Sequence, residues 1–150
     1  MNVKDVMTPS PACCAAETSL REVAQLMVDN DCGEIPVIES KETRRPIGVV
    51  TDRDIVCRTV AQGKNPLDLT AGDCMSTPCV TVTEDMAIEE CSRIMEENKI
   101  RRVPVVDKDG GCCGIVAVAD LALRAKDSVA GDLVKEVSEP NPATSAATGS

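Results

Sequence analysis

The chain has 150 residues, with 16 Lys and Arg against 25 Asp and Glu, a net charge of -9, and no His, Phe, Tyr or Trp. That length suits one ordinary domain or two small ones sharing a core, and 43% apolar residues suffice to build it. The missing imidazole excludes Ser-His and Cys-His nucleophile pairs and His-ligated metals, while the acidic balance and the lack of stacking rings argue against nucleic acid and membrane surfaces as partners.

The opening residues Met1-Asn2-Val3-Lys4-Asp5 lack the apolar run of a signal peptide. The longest apolar stretch, 112–119, is too short to span a bilayer. Nine cysteines form an odd set with two adjacent pairs, Cys13-Cys14 and Cys112-Cys113, and no C-x-x-C. This usage predicts reduced thiols in a cytoplasmic protein, most of them small apolar filler, with no acidified thiol and no all-Cys metal site.

Ser19-Leu20-Arg21-Glu22 reads as a capping box opening a helix whose Leu20, Val23, Ala24 and Met27 share one face. A short apolar strand (35–38), a polar turn (39–45) and a second strand (47–50) lead into another helix, and 64–72 reads as a linker. The pattern then returns. Shifted by 68 residues, Asp5, Met7, Leu20, Glu22, Met27 and Asn30 meet Asp73, Met75, Ile88, Glu90, Met95 and Asn98. Ile35-Pro36-Val37-Ile38 overlies Val103-Pro104-Val105-Val106; after a two-residue gap, Gly48-Val49-Val50, Asp54 and Arg58 meet Gly114-Ile115-Val116, Asp120 and Arg124. The second copy thus predicts a helix carrying Ile88, Cys91, Ile94 and Met95, a hairpin turn at 107–111, a strand at 115–118 and a closing helix. Residues 138–150, rich in Pro, Ala, Ser and Thr, read as a disordered tail. The expected fold is α/β of the α+β type, with duplicated β-α-β-β-α units at 3–63 and 73–137 packed about a pseudo-twofold axis.

This duplicated order resembles the tandem CBS (cystathionine-β-synthase) domain pair, or Bateman module. The resemblance rests on Val6-Met7-Thr8 and Cys74-Met75-Ser76, the two Pro-containing strands, and Gly48-Val49-Val50-Thr51-Asp52-Arg53-Asp54. It implies two clefts that bind adenosyl ligands such as AMP, ADP, ATP, NAD or S-adenosylmethionine, assembly as a homodimer, and ligand sensing without catalysis, read out by an effector protein that the sequence does not identify.

A strand ending at Thr51 and turning into a helix presents backbone N–H groups and a positive dipole end, which suits an anion. Thr51 can offer its hydroxyl to a phosphate, Asp54 can accept from both ribose hydroxyls, and Gly48 keeps the approach open. The plainer reading is that Thr51-x-x-Asp54 is a capping box that needs no ligand. In the second copy Ala117 breaks the box while Asp120 remains. The resemblance implies that the other copy completes the first cleft through Ser76, Thr77, Cys79 and Val80, with Arg101, Arg102 and nearby Arg53 as a phosphate clamp. Adenine would then lie between Val49 and Val80. The opposite cleft would combine Asp120 and Ala117 with Thr8, Cys13 and the Gly33-Glu34 pair. It lacks the hydroxyl and carries a carboxylate, so it is expected to be empty or to take an uncharged or cationic adenosyl group.

Met7, Met27, Met75, Met86 and Met95 read as adaptable core filler, and Glu89-Glu90 and Glu96-Glu97 as a solvated helix face. Two other functions compete with nucleotide sensing. One is an interaction module with non-binding clefts; the other is a thiol redox protein built on Cys13-Cys14 or Cys112-Cys113.

Overall fold

The computed structural model describes residues 1–128. The expected helical extension over 129–137 and the expected tail over 138–150 lie outside the described residues. A 3-10 turn (Val3–Asp5) precedes β1 (Thr8–Pro9), α1 (Leu20–Asn30), β2 (Glu34–Ile38), β3 (Pro46–Thr51) and α2 (Asp52–Arg58). After two short 3-10 turns come α3 (Ala71–Cys74), β4 (Val82–Thr83), α4 (Ile88–Asn98), β5 (Arg102–Val106), β6 (Cys112–Ala117) and α5 (Val118–Ser128). The strand expected at 115–118 begins earlier, at Cys112, and Val118 already belongs to α5.

The helices form where an apolar face can be buried. In α1 the buried residues are Leu20, Val23 and Met27; in α4 they are Cys91 and Met95. The Ser19 hydroxyl accepts from the Glu22 N–H at 3.2 Å, which realises only the Ser19 half of the expected capping box. Both helices close on a left-handed residue, Asp31 or Lys99, whose N–H returns to the last turn.

Two sheets cover these helices. One has the order β1-β6-β5-β4; the other pairs β2 with β3. All five residues of β2 are buried, the carboxylate of Glu34 included. Pro36 lies inside it, and pairing steps over the missing N–H. Cys14 donates to the Pro36 carbonyl at 3.0 Å and accepts from Ile38 N–H at 2.8 Å.

The segment leading into each copy is exchanged. β1 pairs with β6 of the second copy (Thr8 with Ile115), and Ser76 bridges to Val49 of the first. The cores follow the same rule. Val3 and Val6 are buried among Val82, Cys91, Met95 and Val103, whereas Ala71 and Cys74 join Leu20, Val23, Ile35 and Val50. Burial of a valine contributes about 1.5–3 kcal/mol, so each half depends on the other for part of its core. Within the expected 64–72 linker, Leu69 and Ala71 pack against the first core.

Gly48 and its repeat partner Gly114 make the exchange possible. A Cβ on Gly48 would lie 2.9 Å from both the Ser76 carbonyl oxygen and Met75 Sδ, and one on Gly114 would run into the Met7 side chain. The open space beside Gly48 expected for a ligand is therefore filled by the chain itself.

Candidate functional site

The Gly48–Asp54 turn is where β3 hands over to α2. Thr51 has extended backbone angles and caps the helix: Asp54 N–H donates to Thr51 Oγ1 at 3.0 Å, and Thr51 N–H donates to Asp54 Oδ2 at 3.0 Å. This is a complete reciprocal capping box. The two preceding N–H groups are engaged as well. Asp52 N–H donates to the Gly33 carbonyl at 2.9 Å and Arg53 N–H to Asp52 Oδ1 at 2.8 Å. The amide cluster expected to receive a phosphate is thus already satisfied, and the Asp52 and Asp54 carboxylates sit on the positive dipole end in its place.

What remains is a shared carboxylate. Ser76, from the other copy, donates its hydroxyl to Asp54, with Oδ1 at 3.1 Å and Oδ2 at 3.3 Å. Its backbone is held against Val49 in both directions, at 2.8 and 3.2 Å. Arg58, one turn along α2, has Nε 3.8 Å from Asp54 Oδ1 and donates to the Met75 carbonyl at 3.0 Å. Val49, Thr51, Asp54 and Ser76 are therefore brought together, and Arg58 is a member that the sequence reading passed over. Its i,i+4 spacing from Asp54 was the available signal.

The remaining expected ligands are placed differently. Thr77 is exposed, with its methyl directed toward Gly48. Val80 packs on the core of the second copy. Cys79 is half-buried; burial, together with the charge of Glu34, pushes its thiol up to about 11. Arg53 is exposed, and so is Arg101, whose carbonyl accepts from Val118 N–H at the start of α5. Arg102 is half-buried, opposite Ala117 in the β5–β6 ladder, with its charge acting on Glu34. Arg102 thus bears on the cleft through Glu34, the ladder partner of Thr51, while Arg101 is engaged through its backbone.

Glu34 overturns its expected position. Rather than joining the opposite cleft, it pairs with Thr51 in the β2–β3 ladder and lies beside Asp54, Arg102 and Cys79. The residue is only 9% exposed, and its Oε2 has no hydrogen-bond partner. Burial pushes its carboxyl up to about 7; Arg102 opposes the rise and Asp54 adds to it. The first cleft therefore contains the repelling carboxylate that the sequence placed in the second.

The second cleft is simpler. Asp120 Oδ2 accepts from Ala117 N–H at 3.1 Å, keeping half of the capping box without a side-chain partner at 117. A ligand is thus not needed to explain Asp120. Thr8 is exposed, and among the described residues no hydrogen bond links it to Asp120 in the way Ser76 is linked to Asp54. Cys13 does not join this cleft. It contacts Cys112 at the opposite end of β6 from Ala117, which places it roughly 16 Å away along the strand. Nor does the expectation of inert thiols hold for Cys13. A hydrogen bond from Cys112 and the nearby Arg44 charge bring it down to about 7 despite its burial.

Among the described residues no helix is long and apolar enough to cross a membrane, and no group of three or more His, Cys, Asp and Glu side chains is placed to hold a metal ion.

Residues 3–58 and 71–127 each match the CBS domain family. The CBS domain-containing protein YhcV of Bacillus subtilis is 36% identical over 141 residues, covering 93% of this chain and 97% of its own. An uncharacterized protein of Methanopyrus kandleri is 41% identical over 118 residues, which span 79% of this chain but only 57% of that longer protein. Among solved structures, the CBS domain pair of MJ0100 in complex with 5-methylthioadenosine and S-adenosyl-L-methionine superposes with a TM-score of 0.73 at 25% identity, covering 83% of this chain and 99% of that one. CBSX2 in complex with AMP gives 0.72 at 25% identity, covering 85% and 97%. With two matched repeats related by the exchange of their leading segments, the chain belongs to the CBS domain family.

Proposed function

We propose that the chain is a regulatory module that binds an adenosyl ligand in the cleft between its two repeats, at the junction of β3, α2 and the Ser76 segment. The bond from Ser76 to Asp54 carries this reading: a hydroxyl donated by one copy occupies a carboxylate of the other. A ribose diol supplies two such hydroxyls, so a ligand seated there replaces an inter-repeat contact with its own. Occupancy would thereby alter how the halves are held together, and the change would be read by an effector protein or by a second copy of the chain. Exposed Val56, Val60 and Leu67 near α2, with Val118 and Leu123 on α5, support self-association as a homodimer. No chemistry on the ligand is proposed.

AMP, ADP, ATP and NAD are the first ligand class, and the CBSX2 complex with AMP supports it. For these, Arg102, whose charge already acts on Glu34, is the cation nearest the cleft carboxylates. Glu34 favours a second class, uncharged or cationic adenosyl groups such as 5-methylthioadenosine and S-adenosylmethionine. A buried carboxylate beside Asp54 repels phosphate and attracts a sulfonium. The MJ0100 complex supports this class.

Thermal shift at pH 6 and pH 8 against AMP, ATP, NAD, S-adenosylmethionine and 5-methylthioadenosine tests both readings, because a ligand selective for the folded state raises melting. Phosphorylated ligands should gain on going to pH 6 and the sulfonium should lose. Without Trp or Tyr the protein is nearly silent near 280 nm, so a co-purified adenine would appear as an isolated band near 260 nm. If none of the five ligands shifts melting and no such band appears, the chain is an interaction module whose Thr51 and Asp54 only cap α2.

A further inference from the structure

A second cluster lies at the other end of β6, away from the α2 cleft. Cys13 is half-buried in the loop that delivers Cys14 to its bridge with Val37. Arg44 Nη2 stands 3.6 Å from its Sγ. Arg44 is itself fixed by the second copy: its Nε donates to the Cys112 carbonyl at 3.2 Å, and Cys112 N–H returns to the Arg44 carbonyl at 2.7 Å. The Cys112 thiol is buried, within hydrogen-bonding reach of Cys13 and, at 3.6 Å, of the Gly114 carbonyl. Cys13 and its neighbour Cys14 line an open cleft of about 380 Å³ with Thr18, Glu22, Gln25 and Leu26.

The electrostatics separate these thiols. Cys13 is brought down to about 7 by the Cys112 hydrogen bond and by Arg44, against the effect of burial. Cys112, as the donor in that bond, is pushed up, and burial raises adjacent Cys14 to about 12. A thiolate with a cation beside it, a solvent-facing cleft on one side and a protonated thiol on the other is the arrangement of an attacking and a resolving cysteine. When protonated, the Cys13 thiol donates to the Pro11 carbonyl, with Sγ 3.4 Å from the oxygen.

We propose that Cys13 is a peroxide-reactive cysteine resolved by Cys112, so that oxidation ties the leading segment of the first repeat to β6 of the second. The Cys13 thiolate attacks one oxygen of hydrogen peroxide and the O–O bond breaks. Cys13 becomes a sulfenic acid, and the departing hydroxide takes a proton to leave as water. The Cys112 sulfur then attacks the sulfenic sulfur. An S–S bond forms, the S–O bond breaks, and the hydroxide leaves as a second water with the proton from Cys112. Two thiols and one peroxide give one disulfide and two waters. Arg44 stabilises the thiolate before attack and positions Cys112 through its backbone.

The test uses the full chain, fully reduced and then treated with one equivalent of hydrogen peroxide. Intact mass should fall by two hydrogens, and a protease map should show Cys13 linked to Cys112. Cys13→Ser should abolish the fast phase. Cys112→Ser should leave that phase intact but arrest Cys13 as a sulfenic acid that dimedone captures. The pH midpoint of the fast phase should lie about one and a half pH units below that of an ordinary cysteine near 8.5. Arg44→Ala should move it upward and Arg44→Lys should restore it. A cross-link between Cys13 and Cys14, a midpoint near 8.5, or an unchanged rate in Cys13→Ser would each overturn the proposal. The wild-type map and pH profile decide the question even where a variant folds poorly.

Discussion

Replacing Glu34 with Gln should stabilise the protein at pH 8 and do little at pH 5. In the unfolded chain this carboxyl titrates near its ordinary value of 4.5, whereas in the fold, buried and with Oε2 unpartnered, it keeps its proton up to about 7. Between those pH values the native state binds the extra proton. The contribution of neutral Glu34 is therefore complete below about pH 4.5 and is lost as pH rises through about 7, the reverse of an ordinary ion-paired carboxylate. The gap, 7 minus 4.5, corresponds to about 3 kcal/mol at about 1.36 kcal/mol per pH unit. Gln keeps the shape and stays neutral, so Glu34→Gln should gain about 3 kcal/mol over the parent at pH 8, or on the order of 10 °C in melting. Urea unfolding of both proteins at pH 5 and pH 8 measures the difference while cancelling the other titrating groups. An equal effect at the two pH values, or a loss at pH 8, would refute the argument that Arg102 only partly offsets the burial of this charge.

Other expectations follow from particular contacts. Gly48→Ala places a Cβ 2.9 Å from the Ser76 carbonyl oxygen and should cost about 1–3 kcal/mol by forcing the exchanged segment off β3, measured by denaturant unfolding. Ser76→Ala removes the hydroxyl donor to Asp54 and should cost about 1 kcal/mol without ligand, while freeing the carboxylate for a ribose; ligand affinity should hold or rise as the melting temperature of the free protein falls. Asp54→Asn should keep a cap on α2 but lower adenosyl affinity at least tenfold by titration calorimetry, since an amide cannot accept two hydroxyls as a carboxylate does. Val3→Ala, fully buried in the core of the second copy, should cost about 1–3 kcal/mol and destabilise both halves in a single transition, which hydrogen exchange would resolve.

The 68-residue repeat, the Leu20, Val23 and Met27 face, the β-α-β-β-α order and the Thr51–Asp54 cap were all legible because each depends on residues a few positions apart or on a pattern met twice. Even so, local spacing could not distinguish a cap that invites an anion from one that is already complete. That depended on Gly33, just ahead of β2, whose carbonyl takes the Asp52 N–H. Asp120 is a related case, since its partner is the backbone of Ala117 and a backbone N–H leaves no mark in the sequence.

The sequence by itself determined that two like units exist, that neither contains an imidazole, and where α1 and α2 begin. Only the tertiary structure decided which core Val3 and Ala71 enter, that Glu34 stands beside Asp54, and that Arg44 joins Cys13 to Cys112. The physical reason is the range of the interactions. Caps and amphipathic faces are settled within one helical turn, whereas an aliphatic side chain is equally well buried in either of two similar cores. The crossing of the leading segments chooses between those cores and sets which charges and thiols become neighbours.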